Sequence, residues 1–117
     1  MDSNVNKILQ NIVNTATLAA DEAKAAGIDT ATGKYIMSVN GKSVLSMQDR
    51  GFLKIVSEKE TGRILGAQLM CARATDMIGE LELAISKRLT AEDLAAVIMP
   101  HPTFCEGIGE AAESILM

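Results

Sequence analysis

Apolar positions follow two different periods along this chain, and the strand-like one is clearest in the middle. Phe52-Leu-Lys-Ile-Val-Ser57 and Arg63-Ile-Leu-Gly-Ala-Gln-Leu-Met70 are short apolar runs flanking Glu58-Lys-Glu-Thr-Gly62. A charged five-residue connection ending in glycine suits a type I turn closed by a left-handed glycine bulge, so the pattern predicts a β-hairpin. Leu53 and Ile55 oppose Phe52 and Val56, so both faces are apolar. Such a hairpin is expected to be central and covered on both sides. After Met70 the period becomes helical. Met77, Ile78, Leu81, Ala84, Ile85 and Leu89 form one stripe, with Thr75 as its N-cap and Glu80, Glu82, Ser86 and Lys87 opposite. Thr90-Ala-Glu-Asp opens a shorter helix carrying Leu94, Val97 and Ile98, which Pro100 breaks. Ile108, Ala111, Ala112, Ile115 and Leu116 then mark a closing helix.

Ahead of the hairpin the pattern is weaker. Ala19–Ala26 reads as a short Ala-rich helix, with Asp21 and Glu22 early and Gly27 just past its end. Lys34–Val39 reads as a strand following a Thr32-Gly33 turn, and Asn40-Gly41 has the composition of a second hairpin turn. Val5, Ile8, Leu9, Ile12, Val13 and Ala16 recur at helical spacing, but the Asn and Thr residues between them are poor helix formers. A strand near residues 11–17 fits this segment better, with residues 1–10 as a linker or the remnant of an upstream region. Helices and antiparallel strands segregate along the chain, which predicts an α+β architecture: an antiparallel sheet with helices packed against it.

Composition narrows the function. The 117 residues suffice for one domain with one core, placed here at residues 11–117. Hydrophobic residues make up 48% but aromatics only 3%, so Ile, Leu, Val, Ala and seven Met must build the core. A net charge of −4 without a basic cluster argues against nucleic acid and against an anionic membrane surface. No apolar run approaches a membrane span and the N-terminus lacks a signal pattern, so a cytoplasmic protein is expected. Cys71 and Cys105 have neither C-x-x-C nor metal-ligand spacing and read as small packed residues. With one histidine in the chain, no zinc site is expected.

The candidate chemistry lies in Met99-Pro-His-Pro-Thr-Phe-Cys-Glu106, which holds the one His and both Pro residues. Histidine is the side chain whose charge changes nearest neutral pH, and hence the first candidate for proton transfer. Pro100 and Pro102 restrict the backbone on either side of His101. Glu106 opens the closing helix, where the helix dipole favours an ionised carboxylate, and five residues allow it to fold back onto an imidazole N–H. Spacing alone leaves two readings open: an acid/base pair, or a histidine at a helix entry beside a chance carboxylate. No G-x-G-x-x-G, phosphate-binding Gly-Lys-Ser/Thr loop or nucleophile elbow accompanies the pair. Gly107-x-Gly109 is too short for a dinucleotide fingerprint and is expected to let the closing helix start close to a neighbour.

His101-Pro102-Thr103-x-x-Glu106 followed by Gly-Ile-Gly-Glu-Ala-Ala resembles the closing signature of the flavin-dependent disulfide oxidoreductases, above all the dihydrolipoamide dehydrogenase family. Glu22–Ile28, Asp49–Val56, Lys59–Ala67 and Ala74–Ile85 resemble segments of that family's C-terminal domain in the same order, so the likeness spans roughly residues 17–117. It makes residues 41–47 a short helical connection instead of a turn. It also implies a dimerisation domain forming the subunit interface of a homodimer. In the full-length enzyme, which uses FAD and NAD, this domain's histidine reaches the partner subunit's flavin and disulfide. On that reading His101 takes a thiol proton from a protein-bound dihydrolipoyl group and Glu106 fixes its tautomer. Pro102 is a flavin-side contact, a cis His101–Pro102 peptide aims the imidazole outward, and the chain alone binds no cofactor and is inactive. The family's redox cysteine pair belongs to its flavin domain, and neither Cys71 nor Cys105 matches it. Met99-Pro100 stands where the family commonly has His-Ala, and Asn11-Ile12 where it has Pro-Glu. Two alternatives follow: a stand-alone self-association module, and a fragment of a related disulfide reductase of the glutathione type.

Overall fold

A computed structural model describes residues 23–117; the strand expected at 11–17 lies outside them. Residues 23–25 are helical and close on Gly27 at φ +79°, as the glycine after an Ala-rich helix should. The remaining elements are β1 (Thr30–Ile36), a 3₁₀ turn (Met37–Val39), α1 (Gly41–Leu45), β2 (Gly51–Glu58), β3 (Ile64–Cys71), α2 (Ala74–Ser86), α3 (Ala91–Ala96) and α4 (Glu106–Leu116). The strands form one antiparallel sheet in the order β1-β2-β3. The fold is α+β; of the expected central hairpin only β2 lies between two strands, with β3 on the outside of the sheet among the described residues.

The β2–β3 connection forms as its composition requires. Gly62 sits at φ +79°, its N–H donates to the Glu58 carbonyl at 2.8 Å, and the ladder shifts register between Val56 and Ser57. The rows Gly33–Ile55–Ala67 and Tyr35–Leu53–Leu69 share one face of the sheet. Helix α4 lies against this face, burying Ile108, Ala111 and Ala112 completely. A Cβ on Gly107 would come within 2.5 Å of Leu53 Cδ1 and 3.0 Å of the Tyr35 ring, so close approach is the role of this glycine. Gly109 has nothing within 4 Å and does not share it.

Several expectations need correction. Strand β1 starts at Thr30, and Thr32-Gly33 lies inside it. Gly33 is small because the Ala111 carbonyl of α4 presses on it, not because the chain turns. The hairpin is covered on both faces at Val56, but along Ile36–Phe52–Met70 the second face is open. Ile36 is 46% and Met70 59% exposed there, with the Lys34 ammonium 4.7 Å from the Phe52 ring. Thr75 is not an N-cap: α2 starts one residue earlier, after Arg73 at φ 66°, with no side-chain cap. Helix α3 ends at Ala96, so Val97 and the almost fully exposed Ile98 leave it before Pro100 is reached. Among the described residues no helix is long and apolar enough to cross a membrane.

Candidate active site

Two helix starts in this chain share one sequence grammar and use it differently. At α3, Thr90 Oγ1 accepts from the Asp93 N–H at 3.1 Å and Asp93 Oδ2 accepts from the Thr90 N–H at 2.9 Å, a complete capping box. At α4, Thr103 and Glu106 have the same spacing, and Thr103 Oγ1 accepts from the Glu106 N–H at 3.2 Å. The reciprocal half is missing. Glu106 instead directs Oε1 to His101 Nδ1 at 2.8 Å. The box releases its carboxylate to the imidazole.

The geometry sets the tautomer. An ionised carboxylate only accepts, so Nδ1 carries the hydrogen in the neutral ring and Nε2 keeps its lone pair. The histidine side chain is 75% exposed and that of Glu106 only 21%, which leaves a half-buried orienting group behind an accessible base. The His101–Pro102 peptide is cis, and Pro102 is exposed beside the ring. His101 and Glu106 also border a groove of about 260 Å³, with Val97, Met99, Glu110 and Glu113 on its walls.

Three further residues hold this loop, and only one had a local signal. Thr103 Oγ1 donates to the Pro100 carbonyl at 2.9 Å besides accepting from the Glu106 N–H; its three-residue spacing to Glu106 is the cue. Asn40, 1% exposed, is the N-cap of α1 and not a hairpin turn. Its Oδ1 accepts from Ser43 N at 2.9 Å and Ser43 Oγ at 2.8 Å, while its Nδ2 donates to the Thr103 carbonyl at 3.1 Å. The Tyr35 phenol stands close enough to the same amide for its titration to feel it. Burial pushes its pKa up, the Asn40 amide pulls it back, and Glu110 and Glu106 push it further up.

Glu80 is not on the solvent face assigned to it. It is half-buried, its Oε2 is shut from water without a hydrogen-bond partner, and burial pushes its pKa above the ordinary 4.5. Burial also raises the Cys105 thiol, and the nearby Glu80 charge adds to this. Cys71 is raised by burial alone, and both thiols are free and packed against the core. A carboxyl with a raised folded pKa opposes folding once ionised. The penalty is absent below the ordinary Glu range and complete above the raised value. Glu80→Met is therefore expected to stabilise the domain by about 1 kcal/mol at neutral pH, discounted for the water the half-exposed group keeps. The gain should fade as pH drops through the carboxylate range. Melting temperatures of both proteins between acid and neutral pH check this; a pH-independent difference contradicts it.

Comparison with known proteins places this geometry in context. Residues 13–112 match the family model described as pyridine nucleotide-disulphide oxidoreductase, dimerisation domain. The chain is 46% identical over 95 residues to a dihydrolipoyl dehydrogenase of Geobacillus stearothermophilus, covering 81% of this chain and 20% of that protein. It is 38% identical over 104 residues to one of Halobacterium salinarum, covering 89% and 22%. Among solved structures, LpdA from Mycobacterium tuberculosis superposes with a TM-score of 0.75 at 26% identity, covering 83% of this chain and 21% of that one. The chain thus spans about a fifth of the length of these relatives.

Proposed function

The chain belongs to the pyridine nucleotide-disulphide oxidoreductases as their dimerisation domain, and on that premise we propose that it supplies the acid/base pair of a dihydrolipoyl dehydrogenase to the partner subunit's active site. The observation that carries the reading is the 2.8 Å His101–Glu106 contact on an exposed loop, with Nε2 turned away from the carboxylate and open to a substrate. Nε2 accepts a proton from a thiol of the protein-bound dihydrolipoyl group, whose thiolate is the reactive form. Glu106 holds the ring in the required tautomer and stabilises the imidazolium formed. FAD and NAD, held by other domains, supply the electron transfer. The exposed edge at His101 and Pro102 suits a flavin and disulfide brought up from another subunit, since the ring is backed by its own domain and open outward.

The isolated chain is expected to be colourless, to lack turnover and to form a homodimer. The test is a chimera in which residues 11–117 replace the matching domain of one of the dihydrolipoyl dehydrogenases above. The reading expects a dimeric, flavin-loaded enzyme that oxidises dihydrolipoamide. A second reading, self-association alone, draws on Met99-Pro100 in place of the family's His-Ala, which alters the path into the site. It expects the same dimer with turnover at background.

A further inference from the structure

We infer that Asn40 is a positioning residue for the His101–Glu106 pair, its buried amide tying the histidine loop to the start of α1. This rests on the reading of the pair as the acid/base group. Capping α1 requires only an acceptor, which Ser, Thr or Asp provides equally well. Asn40 does more. Its Oδ1 must face the Ser43 N–H, a donor, and its NH₂ must face the Thr103 carbonyl, an acceptor, so both ends of the amide are committed at once. With the second bond from Ser43, both lone pairs of the buried Oδ1 are used and Nδ2 is tied to the loop.

What it grips matters as much. Thr103 lies two residues after His101 and three before Glu106, and three bonds hold its carbonyl and hydroxyl. The carbonyl accepts from Asn40, the hydroxyl donates to Pro100, and the same hydroxyl caps the Glu106 N–H. The last two bonds are local and travel with the loop. The Asn40 bond spans 63 residues and fixes the loop to the sheet side of the domain. The ring also stands beside α1, since a Cβ on Gly41 would meet His101 Cε1 at 3.7 Å. Releasing Thr103 therefore frees the separation between imidazole and carboxylate while leaving both groups present.

Asn40→Asp keeps the size and the α1 cap but turns an oxygen toward the Thr103 carbonyl; Asn40→Ser keeps the cap and loses the reach. Ser43→Ala is the control, weakening the capping side alone. In the 117-residue chain, long-range ¹⁵N spectra of the imidazole report the tautomer. The wild type and Ser43→Ala should show the Nδ1–H form, and both Asn40 variants a mixture shifted toward Nε2–H. In the chimeric flavoenzyme, Asn40→Asp should lower kcat at least about tenfold with flavin content unchanged, as misplaced groups do. Folded Asn40 variants with the wild-type tautomer overturn the inference, and so does unfolding of both, which would make Asn40 a residue of the fold alone. His101→Gln in the same enzyme separates the two ideas. Undiminished turnover there removes the acid/base reading, whereas a dead His101→Gln beside a fully active Asn40→Asp removes only the positioning role.

Discussion

Replacing His101 by Gln in a flavoenzyme carrying this domain is expected to slow dihydrolipoamide oxidation by about 10²–10⁴-fold, the usual worth of one positioned acid or base. Glutamine keeps much of the size and some hydrogen-bonding capacity but has no titrating nitrogen. With 75% of the side chain exposed, little packing is lost, so dimer mass and flavin content should not change. Glu106→Gln should cost less, on the order of tenfold to a hundredfold, because the imidazole remains and loses only its orienting charge. If His101 merely packs at a helix entry, the damage appears in stability or dimer mass and turnover survives. Steady-state rates, flavin absorbance and light scattering on one sample distinguish these outcomes.

The largest expected effect on stability comes from one added methyl group. Gly33→Ala would set a Cβ against the Ala111 carbonyl, with Ile115 Cγ1 and Ser114 Oγ each 2.7 Å away. The nearest obstacle is backbone, so α4 as a whole must move off the sheet. Elsewhere in a strand Ala is ordinarily better than Gly, so the collision decides the sign. Overpacking of this kind costs about 3 kcal/mol at the upper end of its usual range, a large part of a small domain's stability. Gly79→Ala is the counterpart, with nothing within 4 Å inside α2, and it should stabilise by about 0.5–1 kcal/mol. Urea midpoints moving in opposite directions bear this out. An unchanged midpoint for Gly33→Ala contradicts the packing of α4 on β1.

The contrast between these sites explains what could be read from the chain. The hairpin was legible because its turn chemistry is local: Gly62 follows a charged connection and supplies the positive φ. The His101–Glu106 contact was legible for the same reason, the two residues being five apart at a helix start. Gly33 was misread because glycine signals a turn and a close approach alike, and only the arrival of α4, some eighty residues later, decides between them. The Asn40-Gly41 pair has the composition of a turn, and neither the cap Asn40 gives α1 nor its bond to Thr103 follows from that. Val97 and Ile98 carry the apolar period of a core yet stand exposed, since periodicity records which residues avoid water and not what covers them. Glu80 shows the converse, a charge on the nominally polar face that neighbouring elements bury.

The central claim is that the pair serves the other subunit, and a heterodimer tests it most directly. One subunit carries His101→Gln with an intact redox disulfide; the other carries the wild-type pair with the redox cysteines of its flavin domain replaced. Each homodimer is inactive. If the histidine acts across the interface, the doubly tagged and purified heterodimer keeps one whole site, and turnover returns to about half that of the wild type. If the heterodimer stays at the background of its parents, His101 does not serve the partner's site.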